Sequence, residues 1–139
     1  MQEQTNPGEE KRNWVTKDRW KFYRDQDQIK FNLHDAYLQE DKEKMRWIVV
    51  FELETLSGEN KGYWTKKLIY DPITNDKTQW YARNLFKELG LPEEKAEYEN
   101  QTELLTALKS LVGLHIMATC KKRDWNGRPM TNWDNFRLA

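Results

Sequence analysis

The chain has 139 residues, enough for one domain with a sizeable core and too few for two. Its 23 Lys and Arg balance 23 Asp and Glu, which excludes a binder that works by bulk positive charge. One cysteine and two histidines exclude an intrachain disulfide and offer no metal-ligand spacing, so neither a metal nor a cofactor is expected.

Residues 1–13 are polar, contain Pro7 and Gly8 and lack apolar periodicity, which predicts a disordered leader. Residues 14–23 hold Trp14, Trp20, Phe22 and Tyr23, too much aromatic surface to stay in water without a partner. They are expected to pack on the domain as an arm, or else to dock another protein or a nucleic acid. Leader and arm together occupy residues 1–27, ahead of a domain over 28–139.

In that domain, Ile29, Phe31 and Leu33 alternate with Lys30, Asn32 and His34 and predict a first strand over 28–38. A polar turn leads to a second strand over 45–56. There Met45, Trp47, Val49, Phe51 and Leu53 share one face, so Trp47 is expected in the core, while Glu52 and Glu54 form a solvated outer face. After the turn 57–62 comes a third strand over 63–70, whose facing stays open because both parities mix aromatics with Lys or Thr. Asp71-Pro72 stops it. Asn75 or Asp76 caps a helix carrying Tyr81, Ala82, Leu85, Phe86 and Leu89, ended by Gly90 and Pro92. An acidic surface spacer over 92–99 leads to a second helix, capped by Asn100 or Thr102 and ended by Gly113.

Leu114, Ile116, Ala118 and Cys120 then define a fourth strand over 114–122, in which Cys120 reads as a small buried hydrophobe. A fifth strand over 129–138 places Met130, Phe136 and Leu138 on the matching face. Asn126-Gly127 between them supplies the two positive-φ residues of a type I′ hairpin. Three strands, a helical insertion and a hairpin predict a mainly β chain: a five-stranded OB-fold barrel with two helices between strands 3 and 4 and an N-terminal arm. No apolar run reaches membrane-spanning length and residues 1–10 hold no signal-peptide core, which predicts a cytoplasmic protein without a membrane partner.

Catalysis finds little support. Nucleophile-elbow, zincin, Walker and dinucleotide motifs are missing, and His115 and Cys120, five apart on one strand, would point to opposite faces. Binding fares better. Residues 71–113 carry five cations against eight carboxylates, and residues 114–139 carry five against two, so an acidic helical layer lies beside a basic hairpin. An OB barrel binds oligonucleotides on strands 2 and 3 and on the loops joining strands 1–2 and 4–5. Aromatic side chains there stack on bases and Lys or Arg neutralise phosphates. The residues with that chemistry are Arg46, Tyr63, Trp64, Lys66 and Lys67 on strands 2 and 3, and Lys121, Arg123, Trp125, Arg128, Trp133 and Arg137 on the hairpin. Trp125, beside the turn, has little core to enter. Trp133 and Arg137 are expected outside because their parity opposes Met130, Phe136 and Leu138. The function expected is sequence-independent single-stranded DNA binding without catalysis. The alternatives are a non-catalytic protein-interaction module, such as a phage-encoded accessory or inhibitor protein, or single-stranded RNA binding by the same face.

Over residues 28–138 the chain resembles a family of small phage and mobile-element single-stranded-DNA-binding proteins. The resemblance rests on Trp47-Ile48-Val49-Val50-Phe51-Glu52-Leu53, on Gly58 with Lys61-Gly62, and on Leu85-Phe86 with Leu89-Gly90-Leu91. It continues through Leu111-Val112-Gly113 and Trp125-Asn126-Gly127-Arg128 with Asn132. It implies an OB barrel that coats single-stranded DNA during replication or recombination of such elements. The arm 14–23 has no counterpart in that pattern. The acidic tail through which bacterial single-strand binders recruit partners is replaced by Arg137-Leu138-Ala139. Recruitment of a replication or recombination protein would therefore fall to the N-terminal arm, and homo-oligomerisation stays open.

Overall fold

The computed structural model describes residues 12–139, so most of the polar leader lies outside the described residues. Five strands are present: β1 (Gln28–Asp41), β2 (Arg46–Thr55), β3 (Trp64–Tyr70), β4 (His115–Trp125) and β5 (Arg128–Leu138). Between β3 and β4 lie α1 (Asp76–Glu88), the short α2 (Glu93–Ala96) and α3 (Gln101–Leu111). The helices begin and end on local chemistry. Asn75 caps α1 by accepting from the Thr78 N–H at 3.1 Å, and Asn100 caps α3 by accepting from the Glu103 N–H at 2.9 Å.

All strand pairs are antiparallel and the order across the sheet is β3-β2-β1-β4-β5. The long β1 serves both halves, pairing with β4 through residues 28–32 and with β2 through 31–41. It turns between them at a bulge where His34 is left over between the Leu33–Leu53 and Asp35–Glu52 pairs. The β3 and β5 edges share no backbone ladder, so the sheet is open. Side chains nonetheless bring those edges together, since the Lys67 Nζ donates to Asn132 Oδ1 at 3.0 Å. Helix α1 touches both edge strands while α3 packs on β1. One core joins Phe31, Leu33, Phe51 and Leu53 of the sheet to Phe86 and Leu108 of the helices.

Several details differ from the expectations. The spacer 92–99 is more than a surface connection: Ala96 and Tyr98 are buried, and the Tyr98 hydroxyl donates to the Pro72 carbonyl at 2.6 Å. Trp47 shares the inward face of Val49 and Phe51 but stands at the start of β2, beyond the end of the core, and is half-buried. In β5, Asn135 adopts φ +52 and the register slips there, so Asn135 and Phe136 together oppose Ala118. This extra residue inverts the alternation. Trp133, 1% exposed, pairs with Cys120 and packs edge-on against Tyr23 and Phe31, while Met130 and Leu138 lie exposed.

The aromatic segment is an arm packed on the sheet. Trp14 forms a parallel bridge with Trp64 at the open edge of β3, with Val15 N–H donating to Trp64 O and Trp64 N–H to Asn13 O, both at 2.8 Å. A 3₁₀ turn follows over Lys17–Phe22, and Tyr23 enters the core. The arm then joins β4: Gln26 N–H donates to Cys120 O and Cys120 N–H to Asp27 O, each at 2.8 Å.

Candidate nucleic-acid interface

The register of β3 settles its facing. Trp64, Lys66, Leu68 and Tyr70 point outward; Thr65, Lys67 and Ile69 point in. Lys67 therefore leaves the set of surface cations. It is 7% exposed, with its ammonium near the rings of Tyr81 and Phe136. Burial pushes its pKa down to about 8, against the attraction of Asp134.

On the outer face of β2 and β3, the Arg46 guanidinium lies 4.8 Å from the Tyr70 ring centre and bonds Asp41 at 3.0 Å. That pairing holds the Asp41 carboxyl below its ordinary range. Tyr63 and Trp64 are not bare platforms, because the arm covers them. The Arg19 guanidinium sits 4.4 Å from the Tyr63 ring centre, and that of Arg12 sits 4.6 Å from Trp64, which also meets Trp14 and His34. Lys66 lies over Trp14. Glu52, expected on a solvated face, is buried beneath this layer, bonded by Arg12 and by the Tyr37 hydroxyl at 2.9 Å.

The β4–β5 ribbon presents the opposite situation. Past Cys120 it leaves the sheet, and every residue from Arg123 to Met130 is exposed. Asn126 and Gly127 both take positive φ, as a type I′ turn requires. Direct pairing aligns Trp125 with Arg128, Arg123 with Met130 and Lys121 with Asn132, so one face of the ribbon carries Trp125, Arg123 and Arg128. Trp125 is 67% exposed. Arg123 and Arg128 have no ion-pair or hydrogen-bond partner among the described residues. Lys121 donates to Gln26 Oε1 at 3.1 Å. Arg137 lies back at the sheet, donating to Asn135 O and Gln28 Oε1, away from the ribbon tip. Trp133 is closed off in the core and cannot stack on a ligand.

Where the ribbon leaves the sheet, the arm and the hairpin enclose a groove of about 640 Å³. Lys17, Trp20 and Lys21 line one side, and Lys122, Arg128, Pro129 and Thr131 the other. Lys17, Lys21 and Lys122 were not among the residues singled out from the sequence, and Trp20 was named there only as part of the aromatic arm. More than a hundred positions separate the two walls, and the only local signal is the alternation of Lys17, Arg19 and Lys21 around Trp20.

Of the residues expected to bind, the structure gathers Arg123, Trp125 and Arg128 at the ribbon tip, with Lys121 at its base. It sets Arg46 and Lys66 on the outer sheet face. Among the described residues no three His, Cys, Asp or Glu side chains cluster as a metal site. His115 is exposed, and Cys120 is buried with its thiol pushed up to about 11 by desolvation. No helix among the described residues is long and apolar enough to cross a membrane. No family model and no curated protein matches the chain.

Proposed function

We propose that the protein binds single-stranded DNA without sequence preference, on an OB-type barrel, through the β4–β5 ribbon. The observation that carries this reading is the ribbon tip: a Trp two-thirds exposed, flanked by two Arg with no partner among the described residues, on a segment with no core to support. Its indole offers a stacking surface to any base, and the guanidinium groups neutralise the flanking phosphates. The strand order supports the barrel, because β3-β2-β1-β4-β5 becomes the OB order once the β3 and β5 edges meet. The Lys67–Asn132 bond spans that seam. In OB-folds the loop between strands 4 and 5 is a customary ligand-binding element. The resemblance to phage and mobile-element binders extends the proposal to replication or recombination of such elements in the cytoplasm.

Intrinsic fluorescence titrated with oligo-dT and with duplex of equal length tests this. Single strands are expected to quench emission, and salt to reverse the effect. Trp125→Ala is expected to weaken oligo-dT binding by about 1–3 kcal/mol, roughly 5- to 150-fold. Wild-type protein that binds no single strand would refute the reading. A protein-interaction role draws its support from Leu68 and Tyr70, 37% and 46% exposed on the outer sheet face. It becomes the better account if that titration is flat.

A further inference from the structure

The groove between arm and hairpin is unused by the ribbon-tip reading, and its composition is one-sided. Among the described residues, four cations line it (Lys17, Lys21, Lys122 and Arg128) and no carboxylate does, in a chain whose charges balance. Trp20, Pro129 and Thr131 complete the lining. Its volume of about 640 Å³ falls within the roughly 300–1,000 Å³ of small-ligand sites. A lining that combines Trp20 and Pro129 with four cations fits a flat apolar ring joined to an anion, which is the chemistry of a nucleotide.

Both walls are fixed in place. The Lys122 ammonium donates to Trp20 O at 2.8 Å and to Thr131 Oγ1 at 2.6 Å, tying arm to hairpin across the groove. The Lys122 N–H donates to Asp25 Oδ1 at 2.8 Å, and this bond leads the lowering of the Asp25 pKa. At the far end of the 3₁₀ turn, Arg19 and Asn60 exchange bonds of 2.9 and 3.0 Å, and Arg24 pairs with Glu59 at 2.7 Å. Arg128 belongs to both regions, opposite Trp125 at the tip and in the lining of the groove.

Resting on the single-strand reading, we propose that this groove is a second nucleotide subsite, into which the bound strand continues from the ribbon tip. A base lies against Trp20 and Pro129, and its phosphates meet Lys17, Lys21 and Arg128. The N-terminal arm is thereby half of a DNA site.

Lys17 and Lys21 are both exposed, so the double variant Lys17→Ala/Lys21→Ala spares the fold. Oligo-dT affinity is measured over a salt series for wild type and variant, and 5-iododeoxyuridine oligonucleotides are photo-crosslinked and mapped by peptide mass. The proposal expects a crosslink on the peptide containing Trp20. It also expects about 5- to 20-fold weaker binding, with the log–log salt slope shallower by about 1.4, two phosphate contacts at roughly 0.7 each. Wild-type binding with an unchanged slope in the variant and no Trp20 crosslink overturns the groove and leaves the ribbon-tip reading standing. Absence of any single-strand binding overturns both. Free dTMP binding as tightly as oligo-dT, and lost in the double variant, also overturns the proposal, because the groove would then serve a free nucleotide.

Discussion

Lys67 is the residue at which sequence chemistry and structural placement diverge most, and replacing it measures the difference. Its pKa falls from the ordinary 10.5 to about 8 because burial penalises the ammonium more than Asp134 favours it. Between pH 8 and 10.5 the unfolded chain holds the proton and the folded chain does not, so this group makes stability rise with pH through that window. Below pH 8 both states are protonated and the folded one carries the full penalty. The fall from 10.5 to about 8, at about 1.36 kcal/mol per pH unit, corresponds to roughly 3 kcal/mol. Lys67→Met removes the charge and keeps the length, and gives up the bond to Asn132, worth about 1 kcal/mol. The variant should therefore be more stable than wild type by about 2 kcal/mol at pH 7. That advantage should shrink by about 1.4 kcal/mol per pH unit above 8 and end about 1 kcal/mol in favour of wild type. Urea unfolding at a series of pH values, followed by fluorescence, reads this difference. Cys120, raised to about 11, and Tyr23, Tyr81 and Tyr98, raised to about 12, lower stability in both proteins as their unfolded forms ionise, and they drop out of the difference. A difference that does not change with pH, or a variant less stable at pH 7, refutes the placement of Lys67. Since Lys67 touches no phosphate in the proposed site, oligo-dT affinity at pH 7 should stay within about twofold.

Trp133→Ala should lose about 3–5 kcal/mol in the same unfolding assay, because it empties the space between Tyr23 and Phe31. Asn135→Gly should be neutral or mildly stabilising, whereas Asn135→Val should lose about 1–2 kcal/mol, since φ +52 is strained for a branched side chain. Asn100→Ala should cost about 1 kcal/mol, measured as a shift of the urea midpoint, because it leaves the Glu103 N–H without its cap. Trp125→Ala should unfold within about 0.5 kcal/mol of wild type, which separates its effect on binding from any effect on the fold.

Elements with strong local signals were legible in the sequence. Strict alternation marked β1 and β4, the caps and closing glycines framed α1 and α3, and Asn126-Gly127 located the hairpin. Side-chain facing was legible only where the alternation ran unbroken. In β5 a single left-handed residue, Asn135, moves Trp133 inward and turns Met130 out, and Asn at that position looks no different from the Asn and Asp around it. In β3 the two parities are chemically alike, so only packing against α1 and β5 buries Lys67 in place of Lys66. The groove was illegible for another reason. Its walls come from residues 17–21 and 122–131, and no periodicity connects segments that far apart.

The arm explains why fold and site cannot be separated in this protein. An open sheet leaves two unpaired edges, and the arm pairs with the β3 edge at Trp64 while sending Tyr23 beneath Trp133. The same fifteen or so residues bury Glu52 and leave Tyr63 and Trp64 half-buried, while Lys66, Leu68 and Tyr70 on the same face of β3 stay exposed. A ligand drawn to rings and cations therefore finds few of them bare on the sheet and more of them bare on the ribbon and in the groove. Covering one face and building the groove wall are two consequences of one segment's path, set by the Trp14–Trp64 bridge at one end and the Asp25–Lys122 bond at the other.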